Sequence, residues 1–477
     1  MVANRHHTKE IAMAYRMEHD LLGEHIVEGD AFYGVHTVRS VENFGITGRR
    51  VHPSWIHAMG DVKHACAKTS HELGAWADDP KKAEAILCAC REVADGDFDE
   101  QVPIDPLQGG AGTSLNMNIN EVIANRALEL LGLEKGSYDR VSVLDDINYQ
   151  QSTNDVCPTA AKIALIRQID AFLPALKTLE LMLRRKAAEL DSVVKVGRTQ
   201  FQDAVLTTLG FEFKAYAEAL LRDFERFVRV RKDLHCVNLG GTAIGTCVSA
   251  SHEFVAQVVP HLAEITHFEL KQADDLIDGT QNLDVFSTVS GALKTLSLSL
   301  IKMCTDLRFM SSGPQAGIGE ISLPARQAGS SIMPGKVNPV IPEAMTQACF
   351  LVIGHDTTVS YAVSQGQLEL NAFLPLIADC LLNDLDMMRK ACTMMTHHCI
   401  EGIVANVDKC RAGVASSTAL ITAMVERIGY DRACAIGIEA ADEGKSVKQK
   451  LLELGLLDEA TIDALTGAEA VRSTMKR

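Results

Sequence analysis

The chain has 477 residues, which is more than one hydrophobic core usually organises, so two or three domains are expected. Hydrophobic residues make up 47% and charged residues 23%, which is typical of a soluble globular protein, and no apolar run of about 18 residues that could span a membrane occurs. The formal net charge of −16 argues against a nucleic-acid partner, because such partners favour basic surfaces.

Residues 1–151 are predicted to form an N-terminal domain of mixed, mostly helical elements. Within it, residues 1–15 mix His, Lys, Glu and Arg, and we interpret them as an extension whose composition is compatible with disorder. They have no apolar core of the kind that a signal peptide carries, so a cytoplasmic location is expected.

A glycine-rich string, Gly109-Gly-Ala-Gly-Thr-Ser114, lies in this domain. It lacks the Gly-Lys-Ser/Thr ending of a P-loop and does not match the spacing of a dinucleotide fingerprint. The sequence therefore predicts no nucleotide and no other cofactor.

Residues 152–410 are predicted to form a central bundle of long helices. Apolar residues recur there at alternating spacings of four and three, which is an a/d seam, at Val289, Leu293, Leu296, Leu300, Met303 and Leu307. A similar series runs from Leu165 to Leu183, with a bend expected at Pro174, and the patterns over 346–362 and 375–399 are alike. Residues 411–477 are predicted to form a small helical domain, in which Gly444-Lys-Ser446 ends one helix and starts the next, so the fold class is mainly α.

No metal site is predicted. The thirteen cysteines include no CxxC pair, which favours reduced thiols in a cytoplasmic protein. The nearest approach to a ligand cluster is His397-His398-Cys399, in a predicted helix where adjacent residues do not share a face.

The segment Gly329-Ser-Ser-Ile-Met-Pro-Gly-Lys-Val-Asn-Pro339 lies in a predicted flexible loop over residues 326–340. Its glycines allow close approach of the backbone to a ligand, and its prolines stop helices. Lys336 can meet a carboxylate as a point charge, and Asn338 can bond to the same group through its amide. Such a segment suits a mobile loop that closes over a small anion.

Four segments together resemble the aspartase/fumarase superfamily, and its aspartate ammonia-lyase branch in particular. They are the 329–339 segment, the 109–114 string, Gln151-Ser-Thr-Asn-Asp155 and Gly197-Arg-Thr-Gln-Phe-Gln-Asp-Ala204, in the order that the family has. The similarity runs from about Leu21 to about Leu454 and covers most of the chain.

The resemblance implies a three-domain fold whose central helices assemble, four subunits together, into a tetrameric multi-helix core. It implies a small dicarboxylate as substrate and active sites shared between subunits of a homotetramer. The activity implied is the reversible deamination of L-aspartate to fumarate and ammonia.

The resemblance also implies roles for particular residues. Ser330 would be the catalytic base that takes the Cβ proton, and Glu343, after Pro342, would have a supporting role. The β-carboxylate would be held by Thr113, Ser152, Thr153 and Ser331. The α-carboxylate would be held by Thr199, Lys336 and Asn338. Thr113, Asn154 and Gln200 would lie near the amino group.

The chemistry explains why hydroxyl groups are suited to this task. The Cβ proton is not acidic, so the carbanion must be relieved by the β-carboxylate as a doubly negative aci-carboxylate. Preorganised donors aimed at that group usually give the largest catalytic effect. A serine hydroxyl is a poor base at neutral pH, so backbone N–H groups and exclusion of water would have to stabilise its anion.

Gln200 favours an ammonia-lyase over a hydratase. Fumarases and many aspartases carry histidine in this position, and some aspartases carry glutamine. Glutamine does not titrate, so it cannot protonate a leaving hydroxide. Ammonia needs no such acid because it leaves from an ammonium group. Ser-Thr-Asn at 152–154 and Val-Ile-Pro-Glu at 340–343 also differ from the usual fumarase sequences.

Some positions depart from the family's pattern and leave the identity of the substrate open. They are Asp145, Asp146, Leu206, Leu374 and the stretch 425–427, and the first two add negative charge near a motif expected to bind carboxylate. The alternatives are a lyase for another amino- or N-substituted succinate, a fumarate hydratase, or a catalytically silent structural homologue.

Overall fold

The computed structural model describes residues 15–473, and within them the chain is mainly α-helical, as predicted. Except for Tyr15, the interpreted extension over residues 1–15 lies outside the described part. In chain order the helices are α1 (Val35–Asn43), α2 (Pro53–Glu72), α3 (Pro80–Asp95), α4 (Thr113–Leu130), α5 (Thr153–Glu189), α6 (Leu209–Asp233), α7 (His252–Thr266), α8 (Leu276–Gln281), α9 (Asp284–Met310), α10 (Val340–Ser364), α11 (Leu374–His398), α12 (Val407–Ser416), α13 (Ala419–Ile428), α14 (Tyr430–Asp442), α15 (Val447–Glu453), α16 (Glu459–Thr466) and α17 (Ala468–Ser473).

Short strands form four two-stranded pairs in the described residues. Three pairs are antiparallel, and the β5–β6 pair is parallel. The strands are β1 (Tyr15–Asp20), β2 (Gly23–Glu28), β3 (Val194–Thr199), β4 (Gln202–Thr208), β5 (Cys236–Val237), β6 (Lys271–Gln272), β7 (Ile321–Ser322) and β8 (Val404–Ala405).

The chain divides into two compact units. Within the described residues, the first unit combines residues 15–170 with Val228–Gly291 and Gly354–Asp386. The second combines Ala171–Phe227, Ala292–Ile353 and residues 387–473. The division into domains 1–151, 152–410 and 411–477 stays a prediction.

The long helices follow the apolar patterns in the sequence. The seam from Val289 to Leu307 lies within α9, and both of these side chains are fully buried. The series from Leu165 to Leu183 lies within α5, which continues as one helix through Pro174. The patterns over 346–362 and 375–399 correspond to α10 and α11. Leucine seams of this kind are therefore core positions.

The predicted break before the last helices is confirmed at Gly444 and Ser446. Gly444 has φ +64°, a left-handed conformation that glycine adopts without steric cost. Ser446 then caps α15 in a capping box with Gln449, in which the Ser446 Oγ accepts from the backbone N–H of Gln449. In the part of the chain that is described, none of the helices combines the length and apolar character needed to cross a bilayer.

Candidate active site

In the first unit, the residues proposed to bind substrate lie at the N-termini of two helices, α4 and α5. The glycine turn, residues 109–112, leads into α4 with positive φ at Gly110, Ala111 and Gly112. A Cβ added at Gly112 would lie 3.1 Å from Cys157 Sγ and 4.0 Å from Thr153 Cγ2. Glycine at 112 therefore lets the start of α4, and with it Thr113, come close to the start of α5.

Thr113 lines a cavity of about 330 Å³ within the first unit. Its hydroxyl donates to Gly110 O at 2.7 Å, which fixes the side chain against the glycine turn. Helix α1 contributes to the same cavity through His36 and Arg39, which the sequence analysis did not single out. The buried Nδ1 of His36 has no hydrogen-bond partner among the described residues, and burial lowers the pKa of this imidazole.

The Ser152–Asn154 segment is fixed by backbone and side-chain hydrogen bonds. Asp155 is fully buried, and its carboxylate accepts from Ser152 N at 3.0 Å, Gly240 N at 3.1 Å and Thr242 N at 3.0 Å. Burial raises the pKa of Asp155 to about 6, although the three N–H donors oppose this shift. Asn154 donates its side-chain amide to Ala243 O at 2.8 Å. The start of α5 is thus tied to the 238–245 segment.

That segment, Asn238-Leu-Gly-Gly-Thr-Ala-Ile-Gly245, was missed by the sequence analysis, although its glycines are a visible signal. Gly245 has φ +86°, and a Cβ there would lie 2.4 Å from backbone atoms of Ile277. Thr242 has φ +57°, and its buried hydroxyl has no partner among the described residues. The backbone of this segment supports the Ser-Thr-Asn motif.

A second group that the sequence analysis missed is Lys63 on α2. Its ammonium is buried and donates to Gln151 Oε1 at 2.8 Å and to Asn148 Oδ1 at 3.2 Å. Asn116 on α4 donates to the same Asn148 oxygen at 3.1 Å and to Thr153 Oγ1 at 3.2 Å. Burial lowers the pKa of Lys63 to about 8. No sequence motif marks this lysine, because its role depends on tertiary contacts.

The two extra acids before the motif are bound by their own neighbours. Asp146 pairs with Lys82 Nζ at 2.6 Å and accepts from Trp76 Nε1 at 2.7 Å. Asp145 is exposed, and its carboxylate accepts from the Ser142 hydroxyl at 3.2 Å. The charge of Asp146 is therefore neutralised locally.

In the second unit, Thr199 and Gln200 lie at the tip of the β3–β4 hairpin. Thr199 pairs with Gln202, so Gln200 and Phe201 form a two-residue turn, and both have positive φ, +54° and +62°. Both Thr199 and Gln200 are exposed to solvent. The hairpin thus presents these side chains outward at its end.

Ser330, Ser331, Lys336 and Asn338 lie between β7 and α10, on residues 323–339, here called the serine loop. Two hydrogen bonds close residues 330–335 within this loop: Gly329 N donates to Lys336 O at 2.8 Å, and Asn338 Nδ2 donates to Gly329 O at 3.0 Å. A Cβ at Gly329 would lie 2.5 Å from Lys336 O, so only glycine fits there. In this structure the Asn338 amide is therefore occupied by a hydrogen bond within the loop.

Ser330 Oγ accepts hydrogen bonds from two backbone N–H groups, those of Ile332 and Met333, each at 3.2 Å. These donors would favour a negative charge on the oxygen. Ile332 is 83% exposed, so the loop presents an apolar side chain to solvent beside the serine. Lys336 has an exposed side chain that makes no ion pair within residues 15–473.

Glu343 lies in the first turn of α10. Its carboxylate is 3.6 Å from Arg308 on α9. Of the predicted residues, Thr113 and Ser152–Asn154 belong to the first unit. Thr199, Gln200, the serine-loop residues and Glu343 belong to the second.

Comparisons with known proteins identify the class of protein that this geometry represents. A lyase family model matches residues 23–354, and a fumarase C C-terminus model matches residues 420–471. The chain therefore belongs to the lyase family of the aspartase/fumarase superfamily, as the four segments predict.

Individual relatives define the branch. An aspartate ammonia-lyase of Bacillus subtilis is 44% identical over 94% of each chain. A solved fumarate lyase:delta crystallin from Brucella melitensis, bound to cobalt, is 44% identical, with a TM-score of 0.93 over 96% of this chain and 99% of that one. A class II fumarase from Schistosoma mansoni is 31% identical, with a TM-score of 0.88 over 95% of this chain and 98% of that one. Within the superfamily the chain belongs to the aspartase branch.

Proposed function

We propose that this chain catalyses the reversible deamination of L-aspartate to fumarate and ammonia. The assignment is supported by 44% identity to an aspartate ammonia-lyase along nearly the whole chain. The observation that carries the mechanism is Ser330, whose Oγ accepts from two backbone N–H groups on an exposed glycine-bounded loop. A serine must be activated to act as a base, and these donors supply part of that activation.

In the proposed reaction, the Ser330 alkoxide takes the proton from Cβ of aspartate. The electron pair left on Cβ moves into the β-carboxylate, which becomes a doubly negative aci-carboxylate. The pair then forms the double bond, the Cα–N bond breaks, and nitrogen leaves with its bonding electrons as ammonia. Hydroxyl donors to the aci-carboxylate would lower the barrier because they act where charge develops.

The proposed binding roles distribute the predicted side chains over the two carboxylates and the amino group. Thr113, Ser152, Thr153 and Ser331 hold the β-carboxylate. Thr199, Lys336 and Asn338 hold the α-carboxylate, with the exposed ammonium of Lys336 as the only cation in this group. Asn154 and Gln200 lie by the amino group, together with Thr113. Asn338 must release Gly329 O if its amide is to reach the substrate.

Gln200 supports ammonia rather than water as the leaving group. An amide side chain cannot donate a proton and recover it during turnover, as the departure of hydroxide requires. The amino group of aspartate is already protonated and leaves as a neutral molecule. The lower identity to the class II fumarase, 31%, agrees with this choice.

The alternatives remain an amino- or N-substituted succinate other than aspartate, fumarate hydration, and a catalytically silent homologue. The pairing of Asp146 with Lys82 weakens the case for a substrate other than L-aspartate, because the charge of this departure is already compensated. The retained Ser330, Lys336 and Asn338 argue against a silent protein.

The experiment that tests the function is the ultraviolet absorbance of fumarate after the purified chain is mixed with L-aspartate. Absorbance should rise with L-aspartate. A rise with malate alone would support the hydratase, a rise with another amino succinate alone would identify a different lyase, and no rise with any succinate derivative would support the silent homologue.

We also propose that the chain works as a cytoplasmic homotetramer with shared active sites. Exposed apolar side chains on α5, α9 and α10 support assembly, among them Leu181, Leu298, Phe350 and Tyr361. The thirteen free cysteines support a reducing compartment. Mixing two inactive variants, Thr113→Val and Ser330→Ala, would test shared sites: recovered activity requires subunits that complement each other.

A further inference from the structure

A buried cluster of four charged side chains lies in the second unit, beneath the hairpin tip. We call it the ion cluster: Lys195 and Arg198 from β3, Glu212 from α6, and Glu320 from the residue before β7. Glu320 is 6% and Lys195 3% exposed at the side chain. Charges so buried are costly unless they are paired, so the arrangement needs an explanation.

Glu320 binds both cations of the hairpin. One carboxylate oxygen accepts from Arg198 at 2.8 Å, and the other lies 2.9 Å from Lys195 Nζ. Lys195 also donates to Glu212 at 2.8 Å. Arg198 has a weaker second partner in Asp203 at 3.6 Å. Two cations and two carboxylates balance within the cluster, and Glu320 is the only member that contacts both cations.

Arg198 reaches Glu320 from an irregular part of the hairpin. The register changes between Val196 and Arg198, so that two residues of β4 oppose Gly197. A Cβ at Gly197 would lie 2.8 Å from Val205 O, so glycine permits this bulge. Arg198 directly precedes Thr199, and its side chain is thus fixed one residue from the hairpin tip.

The backbone of Glu320 is fixed at the base of the serine loop. Its carbonyl accepts from Asn406 N at 2.9 Å, and the preceding Gly319 O accepts from Asn406 Nδ2 at 2.7 Å. The next two residues, Ile321 and Ser322, pair with Ala405 and Val404. The chain then enters the serine loop at residue 323.

We infer that Glu320 is a positioning residue, which joins the hairpin that carries Thr199 and Gln200 to the base of the loop that carries Ser330. It contacts no substrate in this scheme. It sets the distance between two substrate-binding segments through the ion cluster. The expected effect on catalysis rests on the proposed function, but the link that Glu320 makes between the hairpin and the base of the serine loop can be tested separately.

The main test is Glu320→Gln, which keeps the shape of the side chain and removes its charge. Without that charge, Lys195 keeps the carboxylate of Glu212, but the remaining carboxylate near Arg198 is that of Asp203 at 3.6 Å. We expect kcat/KM for L-aspartate to fall roughly 10- to 100-fold, since small displacements of positioning groups have effects of that order. The matched control is Glu218→Gln, which removes a partly exposed carboxylate 3.0 Å from Arg184 in the same unit and should change nothing.

Two further measurements separate positioning from a merely structural role. Trypsin cleavage at Lys336 and Arg326 in the serine loop, followed by mass spectrometry, should be several-fold faster in Glu320→Gln than in the control. The effect of Glu320→Gln on KM should also be largely absent when Thr199→Val is already present, because residues that act through one another are not additive.

Arg198→Lys provides a second variant if Glu320→Gln does not fold. Lysine keeps the charge but lacks the planar fork that reaches Glu320 and Asp203 together, so a smaller change in the same direction is expected. A folded variant with a lower melting temperature, but with wild-type cleavage rate, KM and kcat, overturns the inference. If the wild-type chain deaminates nothing, the proposed function fails, while the cleavage rates still decide whether Glu320 links the two segments.

Discussion

The ammonium of Lys63 donates a 2.8 Å hydrogen bond to the side chain of Gln151, the residue immediately before Ser152. This bond joins the middle of α2 to the start of the Ser-Thr-Asn motif. Asn148 Oδ1 accepts from the same ammonium and also from the side-chain amide of Asn116. That amide in turn donates to Thr153 Oγ1. A buried cation thereby supports hydroxyls that it does not contact.

Lys63→Met should destabilise the fold by about 1–3 kcal/mol, because it leaves the side-chain oxygen of Gln151 without its ammonium donor and removes one of the donors to Asn148 Oδ1. The free energy of unfolding in urea measures this effect. Lys68→Met is the control, since Lys68 pairs with an exposed carboxylate of Glu264 and its loss should change stability by less than about 1 kcal/mol. Equal effects of the two substitutions would argue against a special role for Lys63.

The pH dependence of stability should also contain a contribution from Lys63. Its pKa is about 8 in the folded state and 10.5 as an ordinary lysine. Between these values the unfolded chain binds more protons than the folded one, so this group makes the free energy of unfolding rise with pH. The difference between the wild type and Lys63→Met, measured from pH 8 to 10.5, should show that rise. A flat difference would contradict the shift.

Ser330→Ala should abolish turnover of L-aspartate and leave the free energy of unfolding nearly unchanged. The substitution deletes one exposed-loop hydroxyl, whose hydrogen bonds are local to residues 332 and 333. Initial rates and a urea titration on the same preparation measure both effects. Turnover close to that of the wild type would remove Ser330 from the mechanism.

Lys336→Ala should raise the KM for L-aspartate strongly or abolish measurable binding, because it removes the cation proposed to meet the α-carboxylate. Lys409→Ala is a matched control, since this lysine is exposed and donates to a backbone carbonyl of Gln315 in the same unit. Steady-state kinetics of both variants make the comparison. An unchanged KM in Lys336→Ala would refute its carboxylate role.

Gly329→Ala should lower kcat by disturbing the hydrogen bonds that close residues 330–335 within the serine loop. The new methyl group would lie 2.5 Å from Lys336 O, so the bond between Gly329 N and that oxygen must lengthen. Gly413→Ala, in α12 with nothing within 4 Å of the added carbon, should be harmless or stabilise the protein by about 0.5–1 kcal/mol. Comparing the two variants in kcat and in melting temperature separates loop geometry from a general effect of added methyl groups.

Much of the fold could be predicted because long helices follow from local periodicity. The a/d series that ends at Leu307 and the Gly444–Ser446 break both depend on neighbouring residues in sequence, and both are confirmed. The family was predicted from four short motifs, and the family comparisons confirm it. The prediction of a carbon–nitrogen lyase is likewise confirmed by the relatives.

The supporting parts of the site could not be predicted from the sequence in the same way. Lys63, Glu320 and Thr242 act through contacts between segments distant in sequence, and a single sequence does not show which segments meet. The glycines within residues 238–245 are visible in the sequence and could have marked this segment as a close approach of backbone to the motif. The ion pair between Asp146 and Lys82 likewise depends on tertiary packing. In the sequence alone, Asp146 is an extra negative charge near a carboxylate-binding motif, but in the structure that charge is neutralised.

The bond between Gly329 N and Lys336 O has a consequence for the entropy of substrate capture. It closes residues 330–335 into a small ring before any ligand arrives. The conformational freedom of these residues is already reduced in the free protein, so little of the binding energy is consumed in ordering them. Movement of the serine then requires changes in only a few backbone torsions on either side of the ring. An unstructured segment, by contrast, would have to become ordered again at each turnover.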